Sequence, residues 1–183
     1  MATLMYHMIQ EYSRYKVIKV FLDSPTHGFK IREIARLIKL APTSVRLHAE
    51  HLKKRKLIIE KKEKNYELKT LHANRENPEF IFLQQQSIIF ELKYSGIIEY
   101  LWESIVPKVI ILYGSYAKGE AIEDSDIDLF IIGKEKNVNV EFHEKKLNKK
   151  IHLTFAESFT QLPDELRNNI INGKILKGYL KVF

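Results

Sequence analysis

No cysteine occurs in the 183 residues, which excludes disulfides and thiolate metal sites, and tryptophan occurs once. No uncharged stretch approaches the roughly 20 apolar residues that a membrane-spanning helix requires. The N-terminus also lacks a basic segment followed by an apolar core and a cleavage site, so the expected location is cytoplasmic, with no membrane partner. What is present is ordinary for a folded chain: 45% hydrophobic and 29% charged residues, too apolar for a largely disordered one. The length suits one large domain or two small ones. No internal repeat or low-complexity linker is visible.

Charge is unevenly spread within the net +7. From Met1 to Pro78 there are 17 Lys and Arg against 8 Asp and Glu, an excess of nine; from Glu79 to Phe183 the balance is 13 against 15. A local positive excess attracts phosphate backbones. Lys-rich surfaces also arise from thermal adaptation, so charge by itself leaves the partner open.

Between Ser13 and Leu22 the apolar residues Val17, Ile18, Val20, Phe21 and Leu22 recur at helical spacing and stop at Asp23-Ser24-Pro25. Ile31, Ile34, Ala35 and Ile38 form one stripe of a second helix. Pro42 suits a first helical turn, and Val45, Ala49 and Leu52 form the inward stripe of a third. Leu57–Glu60 and Tyr66–Lys69 are strand candidates separated by a Lys-rich turn. His48 and His51 read as surface or packing residues, having no third ligand nearby.

Three helices followed by a hairpin resemble a winged helix-turn-helix, above all in IREIARLIKLAPTSVRLHAEHLKKRKLI. The resemblance covers about Ser13 to Thr70. It implies double-stranded DNA as partner, with Thr43, Ser44 and Arg46 at the bases and Lys61, Lys62 and Lys64 on phosphates. Lys56 stands where such domains often carry glycine in a left-handed conformation. Winged helices also serve as protein-protein modules, and that reading stays open.

From Pro78 to Ile105 the chain reads as a long helix with a break near Ser95-Gly96. Its aromatic and aliphatic residues cover more than one face, so something must bury them. The C-terminal domain is one cover and a homodimer seam the other.

Lys108 to Tyr113 (KVIILY) has the composition of a buried strand and runs directly into Gly114-Ser115. Asp126-Ile127-Asp128 follows, leading into the apolar run Leu129 to Ile132. Alternation along a strand puts Asp126 and Asp128 on one face, where a divalent cation would relieve their repulsion. Oxygen ligands suit Mg²⁺, with phosphate oxygens completing its shell. Gly114 lets the backbone approach a phosphate, and Ser115 offers an N–H and a hydroxyl at the start of a helical turn.

The stretch LYGSYAKGEAIEDSDIDLFII is similar to the polymerase-β-type nucleotidyltransferases, especially the minimal ones of prokaryotes, in its GS and DxD spacing and in Ala117, Gly119, Ser125 and Leu129. The resemblance extends to the closing ING-KILKG. It implies Mg²⁺-dependent nucleotidyl transfer from an NTP, ATP foremost, with Gly114, Ser115 and Lys118 on the triphosphate and Asp126 and Asp128 as catalytic metal ligands. It further implies, as an alternative, an antitoxin-like component paired with a HEPN-type helical protein. The family's third carboxylate position is held by His152, whose imidazole is a poor ligand for Mg²⁺ though acceptable to Mn²⁺ or Zn²⁺. Glu141, Glu144 and Glu157 are the acidic residues nearest in sequence that offer a substitute. A transcriptional regulator with a weak or inactive nucleotide-sensing domain is therefore the rival to a transferase.

The expected class is α+β: a winged helix-turn-helix over 1–77, a helical connector over 78–106 and a polymerase-β-like nucleotidyltransferase domain with a small mixed sheet over 107–183. The acceptor, the operator and the oligomeric state are not legible.

Overall fold

Apolar side chains repeating every three to four residues set the first helices. The computed structural model describes residues 12–62 and 69–182, and divides into two compact units, Met1–Gln84 and Gln85–Phe183. Lys64 and the predicted strand residues Tyr66 to Leu68 lie outside the described residues.

In the first unit α1 (Ser13–Asp23) buries Val17, Ile18, Phe21 and Leu22. Glu33 accepts the Lys30 backbone N–H at 3.2 Å, closing the start of α2 (Ile31–Ile38). In α3 (Pro42–Lys54), Val45, Ala49 and Leu52 are buried, as their spacing predicts. Strands β1 (Ile58–Lys62) and β2 (Lys69–Ala73) pair antiparallel, from Ile58 against Ala73 to Lys62 against Lys69. The second strand thus runs beyond the predicted Tyr66–Lys69, because Leu71 and Ala73 point into the core and Leu71 also exchanges backbone hydrogen bonds with Phe29. Phe21, Ile34, Val45 and Phe80 are fully buried together, and the Phe21 and Phe29 rings meet edge to face at 5.4 Å.

Lys56 does adopt a positive φ, +56°. Its carbonyl is gripped by the side-chain amides of Asn74 (2.8 Å) and Asn77 (2.9 Å). The same Asn77 accepts the Glu79 N–H at 2.8 Å, capping α4 (Pro78–Ser95).

The boundary between the units falls inside α4. Phe80 contributes to the first core, Ile88 and Leu92 to the second. Gly96, with φ +84°, separates α4 from α5 (Ile97–Ile105), at the break the sequence predicts. The apolar residues that called for cover are largely buried in these cores, although Phe82 remains exposed.

In the second unit four strands lie in the order β5, β4, β3, β6: β3 (Val109–Tyr113), β4 (Ile127–Ile132), β5 (Ile151–Ala156) and β6 (Lys174–Gly178). Pairing is antiparallel for β3 with β4 and with β6, and parallel for β4 with β5, a mixed sheet. Ile110, Leu112, Ile127, Leu129 and Ile131 face a core with Ile88, Leu92, Ile97, Ile98 and Leu101. Val109, Ile111, Phe130 and Ile132 face the other way, against Phe159, Leu162 and Ile170, the last on α8 (Asp164–Ile171). Cover on both faces explains the unbroken apolar runs of β3 and of residues 129–132 in β4. Two short helices complete the unit, α6 (Gly114–Lys118) after β3 and α7 (Glu141–Leu147) before β5. No described helix is long and apolar enough to cross a membrane.

Candidate active site

Strand β3 ends at Tyr113 and turns straight into α6 through Gly114, whose φ of +73° is one that L side chains rarely adopt. A β-carbon there would lie 2.3 Å from Oδ2 of Asp128, so the turn and the carboxylate are built against each other. Two features hold the bend. The Gln85 side-chain amide donates to the Ala117 carbonyl at 2.8 Å, and Gly119, φ +74°, ends α6. Ser115 is half-buried, whereas Lys118 is exposed.

Asp128 pairs with Tyr113 across β3 and with His152 across β5, so the three side chains share one face at the same end of the sheet. His152 Nδ1 lies 3.6 Å from Asp128 Oδ1, with the imidazole 67% and the carboxylate 27% exposed. Further along this face the Tyr113 hydroxyl meets the Thr154 hydroxyl at 3.0 Å. Asp126 sits just ahead of β4 and is exposed, and its negative charge reaches Asp128. The Asp128 carboxyl is pushed above its ordinary value of 3.8, first by burial; the nearby His152 pulls it down, and the charge of Asp126 pushes it up. A cation between these groups would remove both the burial penalty and the repulsion.

Among the described residues no three His, Asp or Glu side chains converge into a complete metal cage. A cation at Asp128 therefore needs phosphate oxygens and water for the rest of its shell, which suits an ion that arrives with a nucleotide. Glu144 does not fill the gap: it accepts the Ile151 N–H at 2.9 Å at the start of β5, and this bond holds its carboxyl below the usual range. Glu141 and Glu157 are exposed. Ser125 closes the preceding loop by accepting the Ile122 N–H at 2.9 Å.

In the first unit Thr43 and Arg46 are exposed on the leading turns of α3, with Ser44 half-buried between them. Lys61 and Lys62 are exposed on β1. Arg46, Lys61 and Lys62 form no ion pair among the described residues, whereas Lys53 and Lys69 are both drawn to Glu60, at 3.0 and 2.9 Å.

Three contacts escaped sequence reasoning. The Gln85 amide on Ala117 and the Tyr113 and Thr154 hydroxyl pair join residues 32 and 41 positions apart, the Glu144 cap on β5 spans seven, and no local pattern announces them. The Asp128 and His152 contact likewise depends on a register, here the parallel one of β4 and β5, that the strands alone do not fix.

Residues 92–181 match the nucleotidyltransferase domain family. A protein of Methanocaldococcus jannaschii that carries the provisional name protein adenylyltransferase is 39% identical over 70 residues, 38% of this chain and 54% of the relative. The chain thus spans about half the length of that relative. No solved structure matches the chain.

Proposed function

We propose that the C-terminal unit binds ATP with a divalent cation and transfers the adenylyl group to a hydroxyl on a protein acceptor. The observation that carries this is the fit of Gly114 against Asp128, which sets a left-handed glycine bend directly beside a partly buried carboxylate. Support comes from the match to the nucleotidyltransferase domain and from the relative's name. In this reading the Ser115 N–H and hydroxyl receive a phosphate oxygen, Lys118 adds positive charge, and Asp126 and Asp128 hold the cation. The cation is Mg²⁺ in the family's pattern; when bound, it neutralises the departing pyrophosphate.

The N-terminal unit, in the same proposal, is a winged helix that binds double-stranded DNA. The order of the three described helices and the antiparallel pair, the excess of nine positive charges, and Arg46, Lys61 and Lys62, unpaired among the described residues, support it.

Labelled ATP incubated with the protein and candidate acceptors tests the transfer. Label should appear on protein and vanish with Asp126→Ala/Asp128→Ala; undiminished transfer by that variant overturns the reading. The place held by His152 instead of a third carboxylate favours a second reading, a nucleotide sensor without transfer. It expects DNA affinity to change with ATP while no labelled product forms.

A further inference from the structure

We infer that His152 is a direct metal ligand, so that Asp128 and His152 together select a cation with affinity for nitrogen, Mn²⁺ in preference to Mg²⁺. The inference rests on the proposed cation at Asp128.

Three observations carry it. Parallel register sets His152 directly beside Asp128 on one face of the sheet. The 3.6 Å between Nδ1 and Oδ1 is longer than a hydrogen bond but close to the spacing of neighbouring ligands on one octahedral ion, which at about 2.1 Å from the metal stand about 3 Å apart. A small side-chain rotation closes the difference, and an imidazole 67% exposed is free to make it. Among the described residues Asp128 is the ring's one polar partner, so ligation breaks no other contact.

The chemistry then decides the ion. Mg²⁺ takes oxygen ligands in near-ideal octahedra, whereas Mn²⁺, which shares the octahedral oxygen shell, also tolerates an imidazole nitrogen in it. Replacing a carboxylate by a neutral imidazole also leaves the site with one less negative charge, which weakens a hard ion more than a borderline one. Among the described residues no third acidic side chain converges here, so Mg²⁺ would rest on Asp126, Asp128, phosphate and water alone.

The test is titration of the full chain with Mn²⁺, read by electron paramagnetic resonance, with Mg²⁺ as competitor. Pulsed measurements on the Mn²⁺ complex should show nitrogen hyperfine coupling that disappears in His152→Ala. In His152→Asp the preference for Mn²⁺ over Mg²⁺ should fall by about tenfold. Circular dichroism checks that both variants fold. Cation binding that Asp128→Ala abolishes, but that shows no nitrogen coupling in the wild type, overturns the inference and leaves the proposed function standing. An unchanged preference in His152→Asp overturns it as well. If neither ion binds the wild type, with or without an ATP analogue, both readings fall.

Discussion

The carboxylate of Asp128 occupies the space that a side chain at position 114 would need: a β-carbon on Gly114 would stand 2.3 Å from Oδ2. Gly114→Ala must therefore displace Asp128 and also hold alanine at φ +73°. The backbone strain amounts to about 1–3 kcal/mol. We expect ATP binding to be lost along with that stability. Gly96→Ala is the control: its φ is +84°, yet beyond its chain neighbours the closest atom to its β-carbon would be His143 Cε1 at 4.0 Å, so it should lose similar stability and keep ATP binding. Thermal melts and ATP titrations of the two variants check this, and equal ATP affinity in both sinks the argument.

Asn77 performs two tasks with one amide. Its oxygen accepts the Glu79 N–H, and its nitrogen donates to the carbonyls of Arg55 (3.2 Å) and Lys56 (2.9 Å), bracing the left-handed turn after α3. An N-cap contributes about 0.5–2 kcal/mol, and a hydrogen bond about 1 kcal/mol. Asn77→Ala is expected to destabilise the first unit by about 2 kcal/mol in urea unfolding. A loss below about 0.5 kcal/mol would mean that water replaces the amide fully.

Periodicity made the elements legible wherever one face was buried, as with Val45, Ala49 and Leu52 in α3 or the unbroken runs of β3 and of residues 129–132 in β4. The break at Gly96 and the positive φ at Lys56 were legible because both sit at helix ends, where residue type and backbone conformation are coupled. The second strand was read as ending at Lys69 because its inward residues beyond that point, Leu71 and Ala73, lie beside polar Thr70 and His72. At the candidate site the sequence places Gly114 and Asp128 in neighbouring elements but is silent on their separation, which depends on antiparallel register. That Glu144 caps β5 instead of reaching the site was equally invisible, since a carboxylate's partner is chosen by tertiary packing.

His143 makes the second unit sensitive to acid. The side chain is 8% exposed, donates from Nδ1 to the Ser95 carbonyl at 3.2 Å and lies against the Tyr100 ring. Burial first, then the neighbouring Lys146 charge, hold its pKa below the ordinary 6.5, against the opposing pull of the Ser95 hydrogen bond. Neutral imidazole is thus the form the fold favours, and the unfolded chain binds the proton more readily. Stability is fully present above about 6.5 and declines as pH falls through that value toward the lowered one. His143→Gln should flatten this slope in chemical unfolding measured from neutral to mildly acidic pH; an unaltered slope would assign the sensitivity to other groups.

Two kinds of basic residue on the first unit should behave differently toward DNA. Arg46 is exposed near the start of α3, where the proposed interface meets base edges; Lys61 and Lys62 lie on β1, where it meets phosphates. Removing a phosphate contact weakens binding to every sequence and lowers the salt slope by about one counterion, whereas removing a base contact costs about 1–3 kcal/mol against the preferred sequence alone. We therefore expect Lys61→Ala and Lys62→Ala each to shift affinities uniformly and flatten the dependence on salt. Arg46→Ala should compress the difference between preferred and random duplexes. Fluorescence anisotropy over a salt series separates the two outcomes, and a wild-type affinity indifferent to salt would assign the basic surface to a partner other than DNA.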